Sequence, residues 1–264
     1  MTDALAQAFA DPLLISFILA ANAVSVVAFA VFAVPLTWLA WRAPAWAERW
    51  RIQGRPFQVD RWLGPSLGRW AVNSVAMLAV SLCVWPLLRP LTGVHTGPLP
   101  PVWLAAGQLL LFVYVDDALY WLMHRAMHEG WLYRRIHAVH HRIPTPFAAT
   151  GHYMHPVEYV ATGLLMLAGP VVVGAHVAVV YAWVVLRQLE AAEGHCGYHL
   201  PISPWRWLPG GHGPEHHDFH HSRFHGNYSG FLGWLDVALG TEARGYAAHR
   251  AAGGVRGRAD QPAP

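Results

Sequence analysis

Long uncharged apolar runs alternate with short arginine-rich stretches over the first two thirds of the chain. Leu13 to Trp41 carries no charge over 29 residues, more than the roughly 20 a helix needs to cross the hydrocarbon core, with Pro35 placed for a kink near its end. Trp70 to Leu88 is a second such run. Val102 to Met123 is a third, carrying Asp116 and Asp117 near its end. Between them Gly97-Pro98-Leu99-Pro100-Pro101 reads as a tight turn. Tyr159 to Leu186 adds 28 uncharged residues interrupted by Gly169-Pro170 and Gly174. That is more than one crossing uses and fewer than two full crossings need. The pattern therefore predicts a helical hairpin over 157–187, turning near Gly174, of full or partial depth. The expected fold is all-α: an integral membrane helical bundle of about three spans plus that hairpin, under a polar, histidine-rich cap.

Composition agrees with a membrane protein. Of 264 residues, 55% are hydrophobic and 12% charged, about half the charged fraction of an ordinary soluble domain, and the mean hydropathy is +0.27. All 18 basic residues are Arg, which excludes Schiff-base and P-loop lysine chemistry. A net charge of +3 is too small for a phosphate-tracking surface, so no nucleic-acid partner is expected. The two cysteines, Cys83 and Cys196, build neither a disulfide framework nor a cysteine zinc module. Met1-Thr2-Asp3 lacks the basic start of a cleavable signal peptide, so the first run is expected to be a retained anchor.

Seventeen of the 18 Arg fall in Arg42–Arg69, Arg125–Arg142 and Arg187–Arg258, leaving only Arg89 elsewhere. By the positive-inside rule these three segments share the cytoplasmic side. Arg42 to Arg69, with Trp41, Trp46, Trp50 and Trp62 interleaved, reads as an interfacial amphipathic segment. The expected domains are membrane spans over 1–123 with the Arg-rich loop 42–69, a catalytic domain over 117–241, and a disordered tail over 242–264.

Sixteen of the 18 histidines lie between His124 and His225. His124 and His128 are spaced i, i+4, which puts both imidazoles on one helical face. His137, His140 and His141 repeat that convergence, followed by His195 with His199 and by His217, His220 and His221. These ten candidate ligands exceed the six that one ion takes, and imidazole suits iron, copper, zinc and nickel. The surplus argues for two metal ions with open positions, an arrangement able to bind and reduce O₂. Glu158 and Asp218 stand among the groups and are candidates to bridge metals or orient imidazoles through their second nitrogen. His155 and His216 are candidate additional ligands. Asp117, seven residues before His124 on the same helical face, is a further candidate orienting acid, since an acid at the membrane boundary is costly without a partner. His95 and His176 fall outside the constellation.

These motifs resemble the fatty acid hydroxylase and sterol desaturase superfamily of integral-membrane, non-haem di-iron oxygenases. The resemblance covers about Asp117 to Thr241. It rests on Asp117-Ala-Leu-Tyr120-Trp121, His124-Arg-Ala-Met-His128, Tyr133-Arg-Arg-Ile-His137-Ala-Val-His140-His141, Pro146-Phe147 and His155-Pro156-Val157-Glu158. It continues through Gly194-His195-Cys-Gly-Tyr198-His199-Leu-Pro201, His217-Asp-Phe-His220-His221, Asn227-Tyr228 and Trp234-Leu-Asp236-Val-Ala-Leu-Gly240-Thr241. Gly-Tyr-His-Leu-Pro and His-Asp-Phe-His-His followed by Asn-Tyr look most like the 4-methylsterol monooxygenases, while Pro144-Thr145-Pro146-Phe147-Ala148 is similar to sterol 5-desaturases. The closing motif departs from the pattern at Leu235 and Val237, where relatives often carry an aromatic and a basic residue.

The resemblance implies O₂-dependent hydroxylation or desaturation of a membrane lipid, sterol-like in class, at two iron ions held by the ten histidines, with O₂ as co-substrate. Electrons are expected from a separate donor, a b-type cytochrome or a ferredoxin with its reductase, docking on the Arg-rich face. Composition suggests a bacterial inner membrane, whereas a eukaryotic relative would occupy the endoplasmic reticulum. Two other functions suit a histidine-rich membrane protein: a zinc-dependent lipid hydrolase, and a metal transporter. A transporter keeps its ligands near the midplane, whereas here they follow the span ends.

Overall fold

The computed structural model describes residues 2–255. A short helix α1 (Thr2–Ala10) leads into a π-helical segment, Leu14–Leu19, and then α2 (Ala20–Arg42). The two long helices that follow are α3 (Val59–Leu88) and α4 (Val102–Met127). A short α5 (Gly130–Arg135) and a 3₁₀ turn, His137–Arg142, precede α6 (Pro156–Leu165) and α7 (Ala168–Val173). Then come α8 (Val177–Gly194), α9 (Pro214–Arg223), α10 (Trp234–Ala238) and α11 (Tyr246–Ala251). Among the described residues no strand forms beyond isolated bridges.

Among the described residues four segments are long and apolar enough to cross a membrane: Leu14–Arg42, Val59–Leu88, Val102–Met127 and Pro156–Val173. Their outward apolar side chains, among them Val27, Val31, Val34, Val72, Val75 and Leu110, are exposed. An exposed apolar surface of this extent suits hydrocarbon rather than water. The hairpin turns at Gly174, whose φ of +64° is open to glycine at no steric cost. An added Cβ there would also lie 3.0 Å from the Gly93 carbonyl oxygen. His95 and His176 pair across this same end, where Val177 N–H donates to the His95 carbonyl.

The bundle is held by aromatic packing. Phe112 meets Trp183 edge-on, Trp183 stacks near Phe231, and Trp205 closes on Phe231. Buried indoles also find partners, as Trp85 Nε1–H donates to the Ala8 carbonyl and Trp183 Nε1–H to that of Met166, both at 2.7 Å.

Two boundaries differ from the sequence reading. The helix expected from Trp70 begins at Val59, so Arg61 and Arg69 ride on it instead of in a loop. Charges mark where a helix leaves hydrocarbon, not where its hydrogen bonding stops. Their guanidinium groups lie over the rings of Trp62 and Tyr153. The tail expected from residue 242 is folded as far as α11, because Tyr246 is fully buried against Phe219 and His216. Residues 256–264 of that tail lie outside the described residues.

Candidate metal centre

Nine of the ten predicted ligands converge in two groups. His124, His128, His137, His141 and His220 form one, and His140, His195, His217 and His221 form the other. The end of α4 supplies His124 and His128, the 3₁₀ turn supplies His137, His140 and His141, the end of α8 supplies His195, and α9 supplies the last three.

Within the first group the Nε2 atoms of His137 and His141 are 2.9 Å apart, those of His137 and His128 3.0 Å, and those of His124 and His137 3.1 Å. His220 lies 3.1 Å from both His128 and His141. In the second group His217 is 3.0 Å from His195 and 3.2 Å from His221, and His195 is 3.3 Å from His140.

These are not hydrogen bonds throughout. His124 Nδ1 faces the Tyr228 carbonyl at 2.7 Å, His220 Nδ1 the Gly226 carbonyl at 2.6 Å and His195 Nδ1 the Ala191 carbonyl at 2.8 Å. A carbonyl oxygen only accepts, so each Nδ1 carries the proton and each Nε2 presents a lone pair. His137 is fixed the same way by Glu158 Oε1 at 2.7 Å. Three lone pairs of the first group therefore face one another, a repulsive arrangement that a cation between them turns attractive. Ligands about 2.1 Å from a common ion sit roughly 3.0–3.4 Å apart for right-angled to tetrahedral geometry. The observed spacings fit that chemistry, and the imidazole donor set suits a first-row transition metal.

Burial keeps seven of these imidazoles neutral, as ligation requires. Desolvation, reinforced for His128 by its neighbour His137, pushes His128 down to about 3. Desolvation likewise takes His195 down to about 4. His140, His141, His217, His220 and His221 lie well below the ordinary value for the same cause.

His199 is the exception to the expected ten. Regular helix ends at Gly194 and Gly197 turns left-handed with φ +76°, so i, i+4 spacing no longer puts His199 beside His195. Its backbone N–H donates to the Trp50 carbonyl, and its Nδ1 lies 3.0 Å from Glu215 Oε2. Burial raises the Glu215 carboxyl, but the hydrogen bond from His199 and the Arg206 guanidinium outweigh it and hold Glu215 at about 2.

The remaining candidates divide by contact. Among the described residues Glu158 is the one acid bonded to a clustered imidazole. Asp117 Oδ1 instead accepts from the backbone N–H groups of Gly230, Phe231 and Leu232. Asp218 accepts from Gln53 Nε2 at 2.9 Å, and burial pushes its carboxyl up to about 7. His155 accepts from Val157 N–H at the start of α6. His216 packs against His212 and meets Tyr246 edge-on, outside both groups.

Spacing alone did not reveal the loop 226–232, whose Gly226 and Tyr228 carbonyls orient His220 and His124. Asp236 holds it by accepting from Tyr228 N–H at 3.0 Å, Ser229 N–H at 2.9 Å and Trp121 Nε1–H at 3.1 Å. Asp117 holds its other end. The prior signs were the Asn227-Tyr228 and Trp234-Leu-Asp236 motifs and, for Asp117, its apolar surroundings, where an unpartnered carboxylate is not tolerated.

A cavity abuts the second group. It contains about 840 Å³ of empty space, its open mouth included, and its wall runs from Phe17 and Met77 through Tyr120 and Met166 to His195 and His217.

The site and fold thus define a histidine-rich integral membrane protein with two neighbouring histidine groups able to hold metal. Comparison with known proteins gives the family: the fatty acid hydroxylase family model matches residues 109–241, and the chain belongs to that family. It is 37% identical over 172 residues to methylsterol monooxygenase 2-2 of Arabidopsis thaliana, covering 64% of each chain. It is 41% identical over 150 residues to the very-long-chain aldehyde decarbonylase GL1-8 of Oryza sativa subsp. indica, covering 56% of each. With methylsterol monooxygenase erg25B of Aspergillus fumigatus it shares 36% over 168 residues, 60% of this chain and 56% of that one. The chain therefore spans less than two thirds of the length of these relatives. No solved structure matches.

Proposed function

We propose that this protein is an O₂-dependent membrane lipid oxidase that hydroxylates or desaturates a sterol-like lipid at two iron ions. His124, His128, His137, His141 and His220 would hold one ion, and His140, His195, His217 and His221 the other. The observation that carries this reading is the set of carbonyl-fixed imidazoles whose lone pairs face one another. Relatives named as methylsterol monooxygenases support the lipid class.

Bound as a pair, the ions would supply O₂ reduction and oxidation of an unactivated C–H bond. Hydroxylation places one oxygen atom in the lipid and releases the other as water, consuming two electrons and two protons. The chain's own residues set the conditions. The Tyr228, Gly226 and Ala191 carbonyls and Glu158 hold the rings in register. Five histidines would hold one ion and four the other, which would leave room for O₂ to bind. The apolar cavity brings a hydrocarbon against His195 and His217 and keeps water away, which protects a reactive oxidant from side reactions.

The electron donor is a separate b-type cytochrome or ferredoxin, attracted to the arginine-rich side that also carries the histidines. That side faces the cytoplasm, in the inner membrane of a bacterium or the endoplasmic reticulum of a eukaryote. His137→Ala and His220→Ala should each abolish product while leaving the protein in the membrane. A variant with most of its turnover intact, or turnover without O₂ and reductant, would refute the proposal.

A further inference from the structure

The wall of the cavity is apolar at Phe17, Met77 and Met166, yet it includes one amide whose hydrogen bonding is incomplete. Gln188 on α8 is 5% exposed. Its Nε2 donates to Ser25 Oγ of α2 at 3.0 Å. Its Oε1 is buried without a hydrogen-bond partner among the described residues. A buried carbonyl oxygen left unpaired destabilises the fold, and such a group calls for a specific reason. An occupant carrying an O–H would supply the missing donor.

Charge in the same wall argues against a carboxylate occupant. Arg187, the one arginine lining the cavity, already bonds Asp116 Oδ2 through Nε at 3.0 Å and Glu190 through Nη1. One guanidinium thus faces two acidic side chains, and no second arginine lines the wall to match an anionic head. A fatty acid held with its carboxylate at Gln188, away from the metal group, would keep that charge unpaired, which is costly. A neutral alcohol would not.

Gln188 precedes His195 by seven residues, two turns along α8. The two therefore share a face and stand about 10 Å apart along the axis. From these observations we infer that Gln188 binds the hydroxyl of an uncharged lipid, so that anchor and metal group lie at different depths of one cavity. The anchor then decides which carbon reaches His195 and His217. This rests on the reading of the cavity as the lipid site and adds the class of lipid it selects.

The test measures binding, not turnover, on the full-length metal-loaded protein in detergent. Cholesterol is compared with cholest-5-ene, and 1-octadecanol with octadecane and with stearate at pH 8, by mass spectrometry of lipid retained through gel filtration. For the hydrocarbon body that fits, the alcohol should bind about tenfold more tightly than its deoxy counterpart, and stearate more weakly than 1-octadecanol. Gln188→Leu should erase that preference while retaining metal, and Gln188→Asn, which keeps the amide but withdraws it, should reduce it. Equal binding of alcohol and hydrocarbon to the wild type, or an unchanged preference in Gln188→Leu, overturns the inference and leaves the lipid reading intact. Binding of none of the five probes overturns the lipid reading, and the inference falls with it.

Discussion

His140 and His141 are consecutive in the chain, yet their Nε2 atoms serve different groups: His140 lies 3.3 Å from His195, and His141 lies 3.1 Å from His220. The 3₁₀ turn that carries them splays neighbouring side chains widely, so one short segment feeds both positions. His220 and His221 on α9 divide in the same way, which ties the two groups into one unit.

That division makes the two metal positions separable by mutation. His141→Ala should weaken the five-histidine position and His140→Ala the four-histidine position, each lowering the metal bound per chain from two towards one. Elemental analysis beside circular dichroism checks this. Loss of both ions with unchanged helicity in either variant would show that the two positions fill only together.

Glu158 fixes the His137 ring through Nδ1–H, and partners of this kind typically contribute 10–100-fold in metal affinity or activity. Glu158→Ala should therefore weaken metal retention about tenfold or more. Glu158→Gln, whose amide oxygen still accepts the proton, should lose less. Competition with a chelator measures both, and equal losses would place the effect in the charge instead of the hydrogen bond.

Stability of the metal-free protein should fall as pH drops below about 6.5. There the unfolded histidines take up protons, whereas folded His195 does so only near 4 and His128 near 3. The unfolded state then binds more protons, so each such histidine lowers stability by about 1.4 kcal/mol per pH unit across that window. Above pH 6.5 both states are neutral and the contribution is fully present. Thermal midpoints in detergent at pH 8, 6 and 5 should decline in that order, and a flat profile would contradict the burial of these rings as neutral groups.

His199, paired with Glu215 outside both groups, should be dispensable for metal. His199→Gln is expected to retain full metal content and most turnover. Loss of one ion per chain in that variant would return His199 to the ligand set.

Most of the fold was legible because bilayer thickness turns composition into length: an uncharged run near 29 residues has few alternatives to a spanning helix. Histidine spacing was equally informative where the backbone stays helical or nearly so, as at His124, His137 and His217. It failed at His199, where a left-handed Gly197 redirects the chain after the helix has ended. Nothing in the spacing could show that Asp117 acts through backbone N–H groups of the 226–232 loop, since that contact joins residues more than 100 positions apart, as Asp117 joins Phe231. The partition of adjacent histidines between two groups is likewise a property of the 3₁₀ turn and of α9 packed against α8.

These histidines are proposed to hold a pair of iron ions. The most direct test is the metal content per chain of the detergent-purified protein after growth in iron-supplemented medium. Close to two irons per chain is the predicted result. One zinc and no iron, persisting after anaerobic reconstitution with ferrous ion, would contradict it.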